Sequence, residues 1–569
     1  MGRGPREVSS VVAGGSQAGL TEREYDVIVV GSGAAGGAAA RALTRRGLDV
    51  LMLEAGPVVE PSGIDGEDGV SMARRLWRHF VTRRQGVQEQ HPGYWSYSPD
   101  LFVDDRENPY SVDGGSRVVW VRGRQLGGRT LTWGGVTLRM SERDLQGPYQ
   151  DGYGPEWPLR YSDLEPYYSE IEGYLGVRGA AAGLSQLPDG NFSDPSRLTG
   201  AEERLRVAVE ARWSERRVLP CRGISGTGDG GWPQKSSPAT FLREALASGH
   251  LTLETDAVVS KLLVSSSGRA VEGVEWRDRL TGRLRTSRAR SVALGASSLE
   301  SVRLMLNSRG PAHPAGIGNS HDLLGRYLMD HISVTTHIVM PDDGSGTSGF
   351  DAPGSILCPR FVNLEKTELD FSGGYGIWGC IQRDSIPTVG PAGTVSGFLV
   401  AHGEMVPRAE SRMSIDPVRV DRWGIPVPRF QCGWSENEWR MARHMKASLK
   451  EIVEEAGGEC ANIADMMENK AGRFVYQRSV GKAYPESMAP SAFGSYVHEV
   501  GGARMGNEPK ASVLDPYSCC WEVDNLVVVD GACFPSSGWQ GPTLTIMALA
   551  TRASERLAER LESGDLVRA

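Results

Sequence analysis

The segment "FPSSGWQGPTLTIMALA", Phe534 to Ala550, runs from a turn into an apolar helix. The turn offers a large aromatic, an amide and a bare glycine, Trp539-Gln540-Gly541, immediately ahead of Pro542. Proline is preorganised for the first helical position, where its missing N–H costs nothing. Leu544, Met547, Leu549, Ala550 and Ala553 follow at helical spacing, which predicts a helix packed in a core. Such a turn is either a simple tight bend or a place where polar groups are presented. Histidine is the side chain best matched to proton transfer near neutral pH, and the chain has ten. None shows metal-ligand spacing: "HEVGG" at His498 lacks the second histidine of a zinc helix. Eight cysteines include no Cys-x-x-Cys pair, so buried free thiols are expected and no metal is. There is no clean Gly-x-Ser-x-Gly, which leaves a serine hydrolase with little support.

The most informative stretch is "YDVIVVGSGAAGGAAARALTRRGLDVLMLEAG", Tyr25 to Gly56. Val27 to Val30 form a short continuous apolar run, as expected of a strand buried on both faces. Gly31, Gly33 and Gly36 follow with Gly-x-Gly-x-x-Gly spacing. The first glycine permits a tight turn, the second lets backbone approach a pyrophosphate, and the third lets the next helix pack closely. A second strand then ends at Glu54, where an acid can accept hydrogen bonds from both hydroxyls of an adenosine ribose. Strand, glycines, helix, strand and acid in that order predict dinucleotide binding. They do not separate FAD from NAD.

The elements around these motifs follow from composition and pattern. A chain of 569 residues exceeds one hydrophobic core, so more than one domain or large insertions are expected. Net charge −8 argues against nucleic acid as the main partner and is compatible with a cationic or neutral small substrate. No apolar run approaches the roughly 18 residues of a membrane span. The start reads as a disordered tail over residues 1–21 without a signal core, which predicts a cytoplasmic protein. "LTLETDAVVSKLLV" reads as paired strands, and "SVALGASSLESVRLMLNS" as a strand ending at Gly295-Ala296 before a helix. "NLVVVDGACFPSSG" reads as an apolar strand ending at Asp530-Gly531, a pair that is by itself simply a turn. Between His331 and about Arg429, alternating runs such as "HISVTTHIVM" and "TVSGFLVAHGEMV" predict an antiparallel sheet. "SENEWRMARHMKASLKEIVEEAG" predicts an amphipathic helix capped by Ser435.

Taken in order, these segments closely resemble the glucose–methanol–choline (GMC) family of FAD-dependent oxidoreductases. The residues that carry the resemblance are the Gly31/Gly33/Gly36 cradle with Glu54, "RGRQLGG", "DGYGPEWPLRYSDLEPYYSEIEGYLGV" and "GEMVPRAESRMSIDPVRVDRWGIPVP". "HEVGGARMG" and "NLVVVDGACFPSSGWQGPTLTIMALATRA" complete them, and the match runs from Tyr25 to Leu561. The resemblance implies an α/β fold in which a Rossmann-like FAD-binding domain is assembled from residues 22–330 and 498–569. A substrate domain of antiparallel sheet plus helix, residues 331–497, is inserted between them. It implies that Gly127 and Gly128 lie against the flavin and diphosphate, that the Val258 backbone meets the adenine, and that Asp530-Gly531 meets the ribityl or diphosphate region. Covalent relatives attach FAD to a histidine in the segment equivalent to "GGRTLTWGG"; none stands there, so noncovalent FAD is expected.

The resemblance also implies chemistry. Oxidising an alcohol needs a base for the hydroxyl proton while hydride leaves carbon for flavin N5, and His498 matches the family's catalytic histidine. The helix beginning at Pro542 would place its positive end toward the flavin. Most relatives carry asparagine or histidine just before that proline, whereas this chain has Gly541, so Gln540 is expected to supply the missing hydrogen bond. The expected substrate is an alcohol group of a sugar, aminosugar or polyol, as in relatives that act in aminoglycoside assembly, with oxygen or another acceptor taking the electrons. A redox-neutral FAD-containing lyase and a non-catalytic flavin-binding protein are the alternatives.

Overall fold

The computed structural model describes residues 23–60, 81–91, 95, 98–346, 356–383, 391–461 and 488–566. The expected tail over 1–21 lies outside these residues, as do residues 347–355, 384–390 and 462–487 of the expected insertion.

The apolar run after Tyr25 is a strand, Glu24–Val30, and its Val27, Ile28 and Val29 are fully buried because both faces of the sheet are covered. It pairs in parallel with Val50–Leu53 on one side and Leu284–Leu294 on the other. Leu251–Glu254 extends the sheet beyond Val50–Leu53, and Val523–Val528 extends it beyond Leu284–Leu294. Strands far apart in sequence thus end side by side. The helix Ala34–Arg45 follows the first strand, and its run of buried alanines lets the C-terminal helix Thr543–Ser563 pack against it. "LTLETDAVVSKLLV" does form two strands, but they do not pair with each other. Leu251–Glu254 joins the parallel sheet, whereas Ala257–Val264 turns away at Asp256 (φ +59°) and makes a hairpin with Val271–Asp278.

A second sheet is antiparallel, in the order Glu459–Ala461, Ile332–Pro341, Thr394–Gly403, Tyr375–Ile381, Ile356–Cys358, Leu219–Pro220. Its alternation sends Ile332, Val334, Ile338, Ile377 and Leu399 against Met441, Met445 and Leu449 of the helix Glu436–Glu455. That helix starts with Ser435 in a reciprocal capping box with Glu438, as its sequence predicts. The opposite face, with Trp378 and His402, turns toward the C-terminal segment. The edge strand Leu219–Pro220 comes from the N-terminal half, so insertion and host are interleaved. A third, small sheet joins Arg412–Val420, Pro426–Gln431 and Ser111–Val112. All eight cysteines are free, and only Cys460 is not buried. No helix of the described residues is long and apolar enough to cross a membrane.

Candidate active site

The glycine cradle is closed by backbone contacts that no side chain would allow. A Cβ on Gly31 (φ +95°) would lie 2.5 Å from the Gly295 carbonyl, and one on Gly36 would lie 1.9 Å from the Gly31 carbonyl. Gly33 differs, since its Cβ would approach only the Gly127 carbonyl, at 3.9 Å, which leaves open space before the helix. The helix Ala34–Arg45 has no side-chain cap and no acid in its first turn, so its N–H groups are available to an anion there. The loop of Gly127 and Gly128 lies against this turn, and a Cβ on Gly128 would stand 3.5 Å from the Gly33 Cα. This is a cradle of the right chemistry for a dinucleotide pyrophosphate.

Ser32, which the sequence motif treats as a spacer, joins three segments. Its N–H and hydroxyl donate to Glu54 Oε2 at 3.0 and 2.5 Å, and its oxygen accepts the Gly127 N–H at 2.9 Å. Gly56 N–H donates to Glu54 Oε1 at 2.8 Å. Burial raises the Glu54 pKa and these donors oppose the rise. A carboxylate offers about four acceptor sites, and these three donors leave Glu54 with capacity to accept further. Val258 follows Ala257, whose N–H donates to the Glu54 carbonyl at 2.8 Å, and so stands at the same end of the cradle. Asp530 accepts from Ser301 Oγ at 2.5 Å and from Ala532 N–H at 3.0 Å, capping the turn that contains Gly531. Its burial pushes the carboxyl up to about 6.

His498 sits beyond the cradle in a cluster of rings. Its Nδ1 lies 2.9 Å from Nδ1 of His331, and His331 Nε2 lies 2.7 Å from the Gly538 carbonyl oxygen. That oxygen can only accept, so His331 carries its proton on Nε2. Burial holds His331 down to about 4, hence neutral, so its Nδ1 is a lone pair and the proton between the rings belongs to His498 Nδ1. His498 is held well below its ordinary value by burial first and then by neighbouring His331, His402 and Arg129. Its Nε2 is therefore an unprotonated lone pair, the state a base requires. The backbone N–H of His498 donates to Asp330 Oδ1 at 3.0 Å, and Gly494 N–H to Asp330 Oδ2 at 2.8 Å. Burial, with the charge of Glu499 behind it, raises Asp330 to about 7. Tyr496 packs edge-on to His498 (4.8 Å between ring centres), stacks on His402 (5.2 Å) and accepts a hydrogen bond from Trp378 Nε1 at 2.7 Å.

Gly541 completes the site. A Cβ there would lie 3.3 Å from His498 Cε1 and 3.6 Å from Nε2, so its missing side chain leaves space at that edge of the His498 ring. Pro542 and Thr543 are half-buried beside it, with helical dihedrals at Pro542 and no side-chain cap on the helix. Gln540 is directed elsewhere than expected. It is 2% exposed, and its amide donates to Asp144 Oδ2 at 2.7 Å, inside the protein. Trp539 before it is fully buried against Gly376, where a Cβ would lie 2.3 Å from the indole. The turn thus presents its glycine and buries its amide. Sequence reasoning passed over Ser32, Asp330, His331, His402 and Tyr496. The Asp-His pair opening the alternating run at Ile332 was the available signal for two of them, since a buried strand seldom begins with two ionisable residues.

The sequence pattern described as GMC oxidoreductase matches residues 10–333 in its N-terminal part and 407–550 in its C-terminal part. The chain belongs to the GMC oxidoreductase family. It is 27% identical to 6'''-hydroxyparomomycin C oxidase of Streptomyces lividus, over 98% of this chain and 96% of that protein. It is 26% identical to 2-methyl-1,2-propanediol dehydrogenase of Mycolicibacterium austroafricanum, over 94% of this chain and 96% of that protein. Among solved structures, pyridoxine 4-oxidase from Mesorbium loti superimposes with a TM-score of 0.59, covering 94% of this chain and 99% of that one at 17% identity. That likeness shows the shared fold. As a GMC oxidoreductase the protein is an enzyme that uses FAD to oxidise alcohols, with a discontinuous Rossmann-like FAD-binding domain and an inserted substrate domain.

Two expectations follow. Glu54→Ala removes both the strap on Ser32 and the ribose acceptor, and should weaken FAD retention by about 1–3 kcal/mol; fluorescence titration of the apoprotein with FAD measures it, and an unchanged Kd places Glu54 outside the site. Because His498 is held below its ordinary 6.5, its Nε2 stays unprotonated as pH falls through that value and gains a proton only in more acid solution. The acid limb of alcohol-driven flavin reduction should lie below pH 6.5; a limb at or above it would assign the titration to another group, Asp330 foremost.

Proposed function

We propose that this enzyme oxidises a CH–OH group of a sugar, aminosugar or polyol-like substrate with His498 as the base. The observation that carries the reading is the fixed proton order Gly538 carbonyl, His331, His498, which leaves the His498 Nε2 lone pair facing the space at Gly541. The relatives named for a paromomycin and for a propanediol support a hydroxyl-rich substrate, and the first supports a step in aminoglycoside assembly.

Residues 22–330 and 498–569 then hold noncovalent FAD, and 331–497 shape the substrate site. Bound FAD supplies the hydride acceptor. Gly31, Gly33, Gly36, Gly127 and Gly128 hold its pyrophosphate and flavin side, Glu54 and the Val258 backbone its adenosine side, and the Asp530-Gly531 turn the chain between. The uncapped helix end at Pro542 offers partial positive charge where negative charge is to be held. His498 Nε2 takes the hydroxyl proton of the substrate. As that proton arrives, the Nδ1 proton shifts toward His331 Nδ1, so the positive charge is shared between two rings and not confined to one buried imidazole. Gly541 leaves room for a ring-sized substrate to bring its hydroxyl to the base.

His498→Ala should keep its FAD and its fold while alcohol-driven flavin reduction slows on the order of 10²–10⁴-fold, the usual loss for a general base. Stopped-flow reduction under anaerobic conditions measures this, and near-normal kinetics would show that another group takes the proton. Gly541→Asn should raise KM for a sugar or glycoside far more than for a small alcohol, because the new side chain enters the space beside His498. Equal improvement for every substrate would instead identify Gly541 as a lost catalytic group.

A further inference from the structure

The residue just before the base adopts a backbone conformation that its own side chain disfavours. Val497 has φ +59°, in the left-handed region where a β-branched residue is a genuine outlier. Ser297, in the turn between the strand Leu284–Leu294 and the helix Ser298–Asn307, has φ +86° and ψ 142°, a region that is all but reserved for glycine. Strain of this kind persists only where surrounding contacts over-determine it. The two residues are far apart in the chain, and one side chain grips both.

That side chain is Arg129. Its guanidinium donates to the Val497 carbonyl at 3.1 Å, to Glu499 Oε2 at 2.6 Å and to Ser297 Oγ at 3.2 Å. Arg129 directly follows Gly128, so it belongs to the loop that lies against Gly33. The remaining anchors hold the N–H of the Val497–His498 peptide and the backbone before and after it. Asp330 holds the His498 and Gly494 N–H groups, and Ser298 Oγ donates to the Glu499 carbonyl at 2.8 Å. Of these anchors only Arg129 takes hold of the Val497 carbonyl, while Asp330 holds the N–H of the same Val497–His498 peptide, so the two together fix its plane. A rigid planar guanidinium holds a carbonyl, a hydroxyl and a carboxylate oxygen in one fixed fan of donors, a geometry that the compact ammonium of a lysine does not reproduce.

We propose that Arg129 is a positioning residue for the catalytic base. It holds the Val497–His498 peptide in its left-handed setting, so that the base's free edge faces Gly541. Through Ser297 and its own loop it ties that setting to the walls of the FAD cradle, so that cofactor site and base are built as one unit. The proposal rests on the reading of His498 as the base, and the experiment separates the two.

Arg129→Met, Val497→Gly and the double variant are compared with wild type in two measurements, thermal unfolding of the apoprotein and flavin reduction by substrate in the FAD-loaded enzyme. A glycine at 497 adopts this positive φ without strain and needs no clamp. Arg129→Met should therefore lower the apoprotein Tm and slow flavin reduction on the order of 10²-fold, the scale of an ångström's misplacement of a reacting group. Val497→Gly, introduced into that background, should recover much of both losses. Arg129→Lys should not restore the rate. Additive Tm effects with no recovery in the double variant overturn the clamp, as does an Arg129→Met enzyme that reduces its flavin at the wild-type rate. If His498→Ala proves kinetically normal, the base reading fails, while non-additive Tm effects between 129 and 497 still establish the clamp.

Discussion

A carbonyl oxygen has no proton to give, and from that constraint the protonation of the whole site follows. Gly538 presents its oxygen to His331, which must place its only proton there. His498 must then donate from Nδ1, and its Nε2 is left bare. Two neutral histidines could otherwise adopt four tautomer combinations, half of which would put a proton on His498 Nε2. The hydrogen bond from His331 to Gly538 is worth little as stability, on the order of 1 kcal/mol net. Its consequence lies in the state it excludes.

The constraint works because the fold brings Gly538 to His331. The first belongs to the turn before the C-terminal helix, the second to the start of the inserted sheet, 207 positions earlier in the chain. The C-terminal helix is positioned by the alanine-rich helix of the cradle, which can approach closely because its contact side chains are small. Trp539 then docks on Gly376 of the inserted sheet. The same packing that seats the cofactor's helix therefore seats the carbonyl that orders the protons. Discontinuity in sequence is what lets one short turn touch both domains.

The legibility of this arrangement in the sequence divides along a physical line. The cradle, Glu54, the strand before Asp530-Gly531 and the Ser435 cap were readable because each depends on neighbours within a few residues or on one helix and its flanking strands. Pairing was less readable: Leu251–Glu254 and Ala257–Val264 were correctly seen as strands, yet only tertiary contacts decide that each pairs with a different partner. The direction of Gln540 was not readable at all. Adjacent residues in an irregular turn point in unrelated directions, and the one that matters, Trp539, is anchored by a glycine far away in sequence. Arg129 and Val497 were invisible for the same reason, since a strained φ leaves no trace in composition.

Net charge is a property of the whole surface, whereas substrate recognition belongs to the wall around His498. On the inserted sheet, the face opposite the covering helix is set by alternation from Ser333, Thr335, Trp378, Phe398, Val400 and His402. None is acidic. Two acids beside His498 are already engaged, Glu499 by Arg129 and Asp330 by backbone N–H groups. Glu404, next in chain to the end of that face, turns instead to Arg360 at 2.8 Å. For the proposed substrate, this wall offers aromatic faces and neutral hydrogen-bonding groups, which suit a hydroxylated ring. A charged amine elsewhere on the proposed substrate would gain from the protein's overall −8 through long-range attraction, which speeds arrival more than it fixes orientation. The acidic balance and the neutral site are thus compatible, because they act at different distances and on different steps.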